Sequence, residues 1–400
     1  MGDTILVRGA RQLLTLRGAQ GPRRGTALRE IGIIPDGALL IRDGVITDVG
    51  PGRRIESLAA ARTAREINAD GRVVMPGFVD SRARLAFGHF EPDGENSGQS
   101  DLNAIRTLSA RRLAWRARGL LRTFLRHGTT TLEARTGYAQ DAAVEMKSLR
   151  VLAALREDPL DIVATYLPAT GTPSESGGDA DGYVEWMCSS LMPRLRKQKL
   201  ARFVGVCAEE SEPSQRQAHR CFSAARELGF PLKVHAGGVR LALEFDAVSM
   251  DYTSQTTASQ SVMLARSATI ACLLPGLTIP DGIPPPAREL IDAGAAVALA
   301  TGFHPCSNAT CSMPMMISLA CMKMGMTPAE AITASTINGA WATRSSERVG
   351  SLEYGKQADV IVLDVRDYRE IPHHFGVNPV VLAIKRGKVV YDAEGNWNGN

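Results

Sequence analysis

Hydrophobic and polar positions alternate in short runs near both ends of the chain. Asp-Gly pairs separate several of the runs, a pattern typical of β-hairpins. The runs cover residues 4–9, 36–41, 43–50, 350–353, 358–364 and 381–391. We therefore expect residues 1–75 and 346–400 to form one composite β-sandwich from both termini.

The middle of the chain follows a different pattern, in which short apolar runs alternate with amphipathic helical segments. This alternation is typical of parallel α/β folds. The predicted strands are 73–79, 129–133, 161–167, 203–206, 232–234, 247–250, 268–274 and 297–300. Eight such units predict a (β/α)8 TIM barrel over residues 76–345, with the chemistry at the carboxyl ends of the strands.

Details between the strands are also predicted. One long helix is expected to begin at Ser100-Asp101 and to end at His127-Gly128, because Gly commonly terminates helices. Residues 53–65 and 171–182 are expected to be surface loops. The arginines between positions 106 and 126 are interpreted as a solvated helix face, and the Met-rich residues 311–324 as core packing.

Composition narrows the class of protein. There is no apolar run of 18 residues and no secretory leader pattern, which predicts a cytoplasmic protein without membrane contact. Seven cysteines, an odd number without a C-x-x-C pair, predict reduced thiols. The net charge is only +4, which does not call for a nucleic-acid partner.

Several motifs carry a resemblance to a known family. They are residues 76–81, 127–133, 136–138, 233–236, 350–359 and 374–379. With them the chain resembles the amidohydrolase superfamily, and within it the imidazolonepropionases of histidine degradation. The resemblance implies the barrel and sandwich, and a homodimer or a heterodimer with an active relative.

The resemblance also implies a zinc or iron site, with H-x-H after strand one, His after strand five and Asp after strand eight. The matching positions here are Arg82, Arg84, His235 and Gly302. A catalytic zinc needs about three protein ligands, and guanidinium groups are cationic and donate only. We therefore expect no metal cofactor and a site that carries fixed positive charge.

Substrate-side motifs differ as well: the family's H-A-D-E reads His-Ala-Gly-Gly from His235. Within the resemblance, His235 is the candidate general base, although a hydrogen-bonded pocket residue is the simpler interpretation. Arg82 and Arg84 either clamp a small anionic molecule or pair internally with Glu133 or Asp251. The predicted substrate-binding residues are Arg82, Arg84, Tyr138, Thr170, Tyr252 and His304.

Cys306 and His304 could form a nucleophile pair, but adjacent loop residues often point apart, and nothing in the sequence orients this pair. Three functional hypotheses remain. The leading one is a pseudoenzyme that binds a ligand or a partner. The second is a metal-independent hydrolase of cyclic C–N bonds, and the third is a true imidazolonepropionase whose metal has moved to His89, His235 and His304.

Overall fold

The structure is a computed structural model. It describes residues 3–18, 20–85, 97–137, 141–168, 179–207, 215–235, 238–252, 257–277, 284–304 and 308–395, with the backbone alone for 97–101 and 252. Strands are numbered β1–β16 in chain order.

Both ends of the chain contribute to one mixed sheet, as predicted. Its strand order is β16-β15-β14-β5-β1-β2-β3, and β4 pairs with β1. At the β2–β3 hairpin, Asp43 and Gly44 both have positive φ, the geometry that favours Asp-Gly there. The strands are β1 (Thr4–Leu14), β2 (Ile33–Arg42), β3 (Val45–Pro51), β4 (Arg65–Asn68), β5 (Val73–Pro76), β14 (Val360–Leu363), β15 (Val380–Lys385) and β16 (Lys388–Asp392).

Eight parallel strands form the predicted barrel, in the sequential order β6 to β13. Hydrogen bonds from Gly302 N to Arg82 O (3.1 Å) and from Arg84 N to Phe303 O (2.8 Å) join its last segment to its first strand. The strands are β6 (Phe78–Ala83), β7 (Thr129–Arg135), β8 (Asp161–Tyr166), β9 (Phe203–Cys207), β10 (Leu232–His235), β11 (Ser249–Tyr252), β12 (Ile270–Leu273) and β13 (Val297–Leu299).

The predicted strand 73–79 is in fact two strands that meet at Gly77. Gly77 N donates to Asp359 O in the mixed sheet, whereas Phe78 N donates to Gly128 O in the barrel. A Cβ at position 77 would lie 2.3 Å from Cγ2 of Thr130, so the crossing between the two sheets needs glycine. The proposed domain limits at 75/76 and 345/346 stay a prediction.

Most helices lie around the barrel, whereas Gly52–Glu56 packs against the mixed sheet. The α-helices are Gly52–Glu56, Ser97–Thr107, Ala110–Arg126, Ala142–Ala154, Ala180–Trp186, Met192–Gln198, Gln215–Glu227, Val239–Glu244, Ala258–Ala265, Ala287–Asp292, Met313–Met324, Pro328–Ser335 and Ile337–Ala342. Short 3-10 helices are found at Gly25–Arg29, Ala59–Thr63, Pro275–Leu277 and Tyr368–His373, and a π turn at Met187–Leu191.

One helix prediction and two loop predictions need correction. The long helix is two helices, because the Ser109 side chain caps a new one by accepting from Arg112 N. The predicted loop 53–65 contains helical turns and the start of β4, and residues 180–182 of the second loop begin a helix capped by Asp179. The predicted stop at His127-Gly128 is confirmed, with Gly128 at φ +82°.

Burial confirms most of the two compositional interpretations: Arg111, Arg112, Arg122 and Arg126 are exposed, but Met322 of the Met-rich segment is 60% exposed and lies outside the core. In the Met-rich helix, Met313, Met316 and Ile317 are fully buried. In the Arg-rich helix Ala110–Arg126 the apolar face, including Leu113 and Phe124, packs into the core. Within the described part of the chain, no helix has the length and apolar character needed to cross a membrane.

Candidate functional site

Charged side chains gather inside the carboxyl end of the barrel because of the two-residue period of its strands. Side chains two positions apart on a strand face the same way. This period places three pairs inside: Asp80 with Arg82 on β6, Glu133 with Arg135 on β7, and Lys233 with His235 on β10. The site is therefore built on rigid strands, with Asp251 added from β11.

The deeper part of this group is centred on Glu133, which is fully buried. Its carboxylate accepts hydrogen bonds from Thr165 Oγ1 at 2.7 Å, from Arg135 Nε at 2.8 Å and from Lys233 Nζ. Burial raises the pKa of Glu133, but the Arg135 and Lys233 cations outweigh it, so that the pKa is lowered overall. Glu133 is thus an ionised structural anchor. We call Glu133, Lys233, Thr165 and Arg135 the inner layer.

Asp251 links the inner layer to the mouth of the barrel. Arg135 donates to both of its carboxylate oxygens, at 2.5 and 3.0 Å, and Arg82 Nε lies 3.5 Å from Oδ2. His235 Nδ1 lies 2.7 Å from the same oxygen. Although burial opposes ionisation, Arg135 and His235 hold the pKa of Asp251 far below its usual range. Asp251 therefore presents a fixed negative charge to the imidazole.

This contact defines the state of His235. Burial lowers the pKa of His235, against the opposing effect of Asp251, so the ring is neutral at pH 7. A neutral ring beside an ionised carboxylate donates its Nδ1 proton to it, which leaves the lone pair on Nε2. The His235 side chain is 25% exposed. It therefore has the arrangement of a general base positioned by a carboxylate.

Arg82 and Arg84 lie near the rim, as predicted, but not as one clamp. Arg82 Nη1 donates to Gly302 O at 2.9 Å, and Arg84 Nη2 donates to Gly137 O at 2.8 Å. The expected internal pairing is confirmed for Arg82 with Asp251, whereas the cations bound to Glu133 are Arg135 and Lys233. Arg82 thus lies close to His235, with which it shares Asp251, whereas Arg84 lies beside His304.

His304 follows the last barrel strand and lies beside Arg84, with Nε2 3.4 Å from Nη1. Burial, together with the Arg84 and Arg82 cations, lowers the pKa of His304 to about 4. The ring is therefore neutral at pH 7. We call Arg82, Arg84, His235 and His304 the rim layer.

Asp80 is a third buried carboxyl group in the site. It accepts from Thr301 N at 3.1 Å and from Thr301 Oγ1 at 2.5 Å. Burial raises the pKa of Asp80 to about 7, despite these hydrogen bonds. Near neutral pH, Asp80 therefore carries at most part of one negative charge. The same site holds four cationic side chains, those of Arg82, Arg84, Arg135 and Lys233.

Two functional residues were missed by sequence reasoning. Arg135 and Lys233 stand next to a matched motif or inside one, but neither matches a metal-ligand position of the resembled family. The signal was the spacing: Glu133 and Arg135, like Lys233 and His235, are two residues apart at a strand end. Tyr138, Thr170, Cys306 and His89 lie outside the described residues, and for Tyr252 the structure gives only a backbone position at the end of β11.

The surroundings of Gly302 bear on metal binding. This residue matches the family's Asp position, and a Cβ built there would lie 3.4 Å from Nη1 of Arg82. The Arg82 guanidinium therefore occupies the space between positions 82 and 302, both of which the resemblance assigns to metal ligands. Among the residues that the structure describes, no group of three or more His, Cys, Asp or Glu side chains is arranged to hold a metal ion.

The chain belongs to the amidohydrolase family, whose model matches residues 73–390. Within this family it is imidazolonepropionase-like. It is 38% identical to the imidazolonepropionase of Parabacteroides distasonis, over 96% of this chain and 98% of that protein. It is 37% identical to the imidazolonepropionase of Solibacter usitatus, over 98% of this chain and 99% of that protein.

Solved structures agree on the fold. An adenosine deaminase from Xanthomonas campestris with bound zinc superposes with a TM-score of 0.72 at 17% identity, covering 97% of this chain and 93% of that one. Atrazine chlorohydrolase from Arthrobacter aurescens TC1, complexed with zinc, gives a TM-score of 0.74 at 18% identity, over 98% and 96%. At these identities the likeness concerns the fold alone.

Proposed function

We propose that the chain hydrolyses a cyclic C–N bond of an imidazolone-like anionic substrate without a catalytic metal. The observation that carries this proposal is the hydrogen bond between His235 Nδ1 and Asp251, which leaves Nε2 as a base near the Arg82 guanidinium, whose Nε lies 3.5 Å from the same carboxylate. The substrate class rests on the imidazolonepropionase relatives at 36–38% identity.

In this mechanism His235 Nε2 takes a proton from water as the water oxygen bonds to the ring carbonyl carbon. The carbonyl oxygen becomes an oxyanion, and the rim guanidiniums of Arg82 and Arg84 stabilise its charge. The C–N bond then breaks, and the proton on His235 passes to the leaving nitrogen. Water is consumed, the ring is opened, and Asp251 holds the imidazolium between the two steps.

The donor set around His235 supports a metal-free site. Both H-x-H positions carry arginine, and the Arg82 guanidinium contacts Gly302 and Asp251. Asp251, the carboxylate nearest to His235, is already bound by Arg135 through two hydrogen bonds. These groups do not fit a divalent cation, which would meet two positive charges and lack three available ligands.

The two other hypotheses remain predictions. A true imidazolonepropionase with a relocated metal agrees with the names of the relatives, but Arg84 next to His304 opposes a cation there. A pseudoenzyme that binds a small anion, as a homodimer or with an active relative, would use the same rim cations without turnover.

One set of assays separates the three. Imidazolone-propionate turnover is measured for the purified chain with and without a chelator, and for His235→Ala. We expect chelation to leave kcat/KM unchanged and His235→Ala to lower it about 10²–10⁴-fold. The control is His373→Ala, an exposed histidine of the 3-10 helix Tyr368–His373, which should retain full activity.

Other outcomes overturn the proposal in distinguishable ways. Activity that is lost with chelator and restored by zinc or iron would identify a relocated metal site. An unmodified chain that binds the imidazolone without turning it over would identify a pseudoenzyme.

A further inference from the structure

A second basic cavity lies at the opposite end of the barrel from His235. Its volume is about 420 Å³. Asp161 begins β8 there, Arg202 immediately precedes β9, and Pro231 immediately precedes β10, so the cavity faces the amino ends of three neighbouring strands. The mechanism proposed above uses none of its residues.

Positive charge dominates the lining, with six cationic side chains and two carboxylates. The cations are Arg156, Arg196, Lys199, Arg202, Arg344 and Arg348. Within the described ranges, none of these six forms an ion pair with a carboxylate. The cavity therefore holds an excess of positive charge, which Glu347 near Arg202 offsets only in part.

The two carboxylates do not offset this excess, because cations outside the lining already bind them. Asp161 pairs with Lys385 at 2.9 Å and with Arg386, and Glu157 lies 3.5 Å from Arg386 Nη1. The cavity cations instead bind backbone carbonyls: Arg156 donates to Lys199 O at 2.8 Å, and Arg202 donates to Arg344 O at 2.6 Å.

The crowding of like charges is visible at Arg202. Burial lowers the pKa of Arg202, and the neighbouring Arg348 and Arg344 guanidiniums lower it further, against the opposing effect of Glu347. Like charges are brought together at a cost in free energy unless an anion lies between them. An anion bound among these three guanidiniums would remove that repulsion.

The shape and lining indicate the class of anion. A concave cavity of this volume is in the range of small-molecule sites, whereas nucleic acids use extended surfaces. Guanidinium groups bind phosphate oxygens in pairs, and several of them match an anion with more than one phosphate. No aromatic side chain occurs among the described lining residues, so the cavity offers no stacking platform for a base.

We propose that this basal cavity is a binding site for a small diphosphate anion, held by the guanidinium and ammonium groups of Arg202, Arg344, Arg348 and Lys199. The diphosphate is either free or the end of a larger molecule. The site is separate from the barrel mouth and holds whether or not the chain is a hydrolase.

The test is calorimetric titration of the full chain with inorganic pyrophosphate at low ionic strength. The key variant is Lys199→Gln/Arg348→Gln, since no side-chain hydrogen bond or ion pair is found for either residue in the described structure. The matched control, Arg111→Gln/Arg112→Gln, removes the same charge from two exposed positions on the helix Ala110–Arg126. Unfolding midpoints of both double variants verify that they are folded.

We expect one saturable site that weakens at least about tenfold in Lys199→Gln/Arg348→Gln, about 1.4 kcal/mol, and less than about twofold in the control. ADP should bind about as tightly as pyrophosphate, since nothing recognises the base. Absence of saturable binding, equal weakening in both double variants, or equal binding of citrate would overturn the proposal. So would weakening by Arg84→Gln alone, because the anion would then lie in the barrel mouth.

Discussion

The inner and rim layers of the barrel carry similar residue types in different states. In the inner layer, Glu133 is fully buried and is bound by Arg135, Lys233 and Thr165. In the rim layer, Arg82 and Arg84 donate chiefly to backbone carbonyls, and His235 keeps one ring nitrogen for the mouth. Carboxylates balance the cations of the inner layer, whereas in the rim layer Arg82 shares Asp251 with Arg135 and Arg84 donates to a backbone carbonyl. Under the proposed function, these two rim guanidiniums are the groups that meet the anionic substrate.

Removing the Glu133 carboxylate should have the largest effect on stability, because it is the anion at the centre of the inner layer. Glu133→Leu leaves the buried Lys233 ammonium and one edge of Arg135 without a partner, so we expect a loss of about 3–5 kcal/mol in unfolding free energy. Urea denaturation measures it. Glu227→Leu, at an exposed position of the helix Gln215–Glu227, should stay within about 0.5 kcal/mol.

A second variant tests whether charge imbalance is the cause. Glu133→Leu/Lys233→Met removes both members of the buried pair and should recover part of the lost stability. A single Glu133→Leu variant as stable as the parent chain would show that the inner layer does not anchor the barrel.

The rim layer should respond in affinity and hardly in stability. Arg84→Gln removes a cation that contacts Gly137 O and His304, and we expect binding of an imidazolone-like anion to weaken about tenfold, about 1.4 kcal/mol. The unfolding free energy should change by less than about 1 kcal/mol. Calorimetric titration measures the affinity and urea denaturation measures the unfolding free energy, each for Arg84→Gln and for the control variant Arg112→Gln. A stability loss as large as that of Glu133→Leu would place Arg84 in the inner layer.

The smallest expected effect is a pH dependence of stability from His304. Burial, together with Arg84 and Arg82, lowers the pKa of His304 to about 4. Between pH 6.5 and 4, His304 is therefore protonated in the unfolded chain but neutral in the folded chain. Stability from this residue is present above pH 6.5 and is lost as the pH falls. Between pH 7.5 and 4.5, the unfolding free energy of His304→Gln should fall less than that of the parent chain. The difference between the two falls should be about 1 kcal/mol or less, because solvent screens this partly exposed group. Equal slopes would contradict the assigned pKa.

Local patterns predicted most of the fold. Eight apolar runs located the barrel strands, and Asp43-Gly44 marked a hairpin. The split of the first strand at Gly77 was not predictable in this way, because its cause is a hydrogen bond to Asp359, far away in the sequence. Periodicity describes a strand but does not say which of two sheets it joins.

The candidate site was predicted only in part, for a similar reason. His235, Arg82 and Arg84 were predicted because the resemblance matches them to metal-ligand positions, which lie at or just past strand ends, where barrel chemistry occurs. Arg135 was missed because its role depends on Asp251, a residue of another strand that is brought next to it by the barrel. Pairings between distant strands decide which charges are neutralised, and a single sequence does not contain them.

The central claim is that fixed positive charge has taken the place of a catalytic metal in this barrel. The most direct test is elemental analysis of the chain, purified after expression in medium supplemented with zinc and iron and freed of loosely bound ions by gel filtration. The account predicts far less than one zinc or iron per chain, with imidazolone turnover unaffected by chelator. One tightly bound zinc or iron per chain, lost together with activity on chelation, would contradict it.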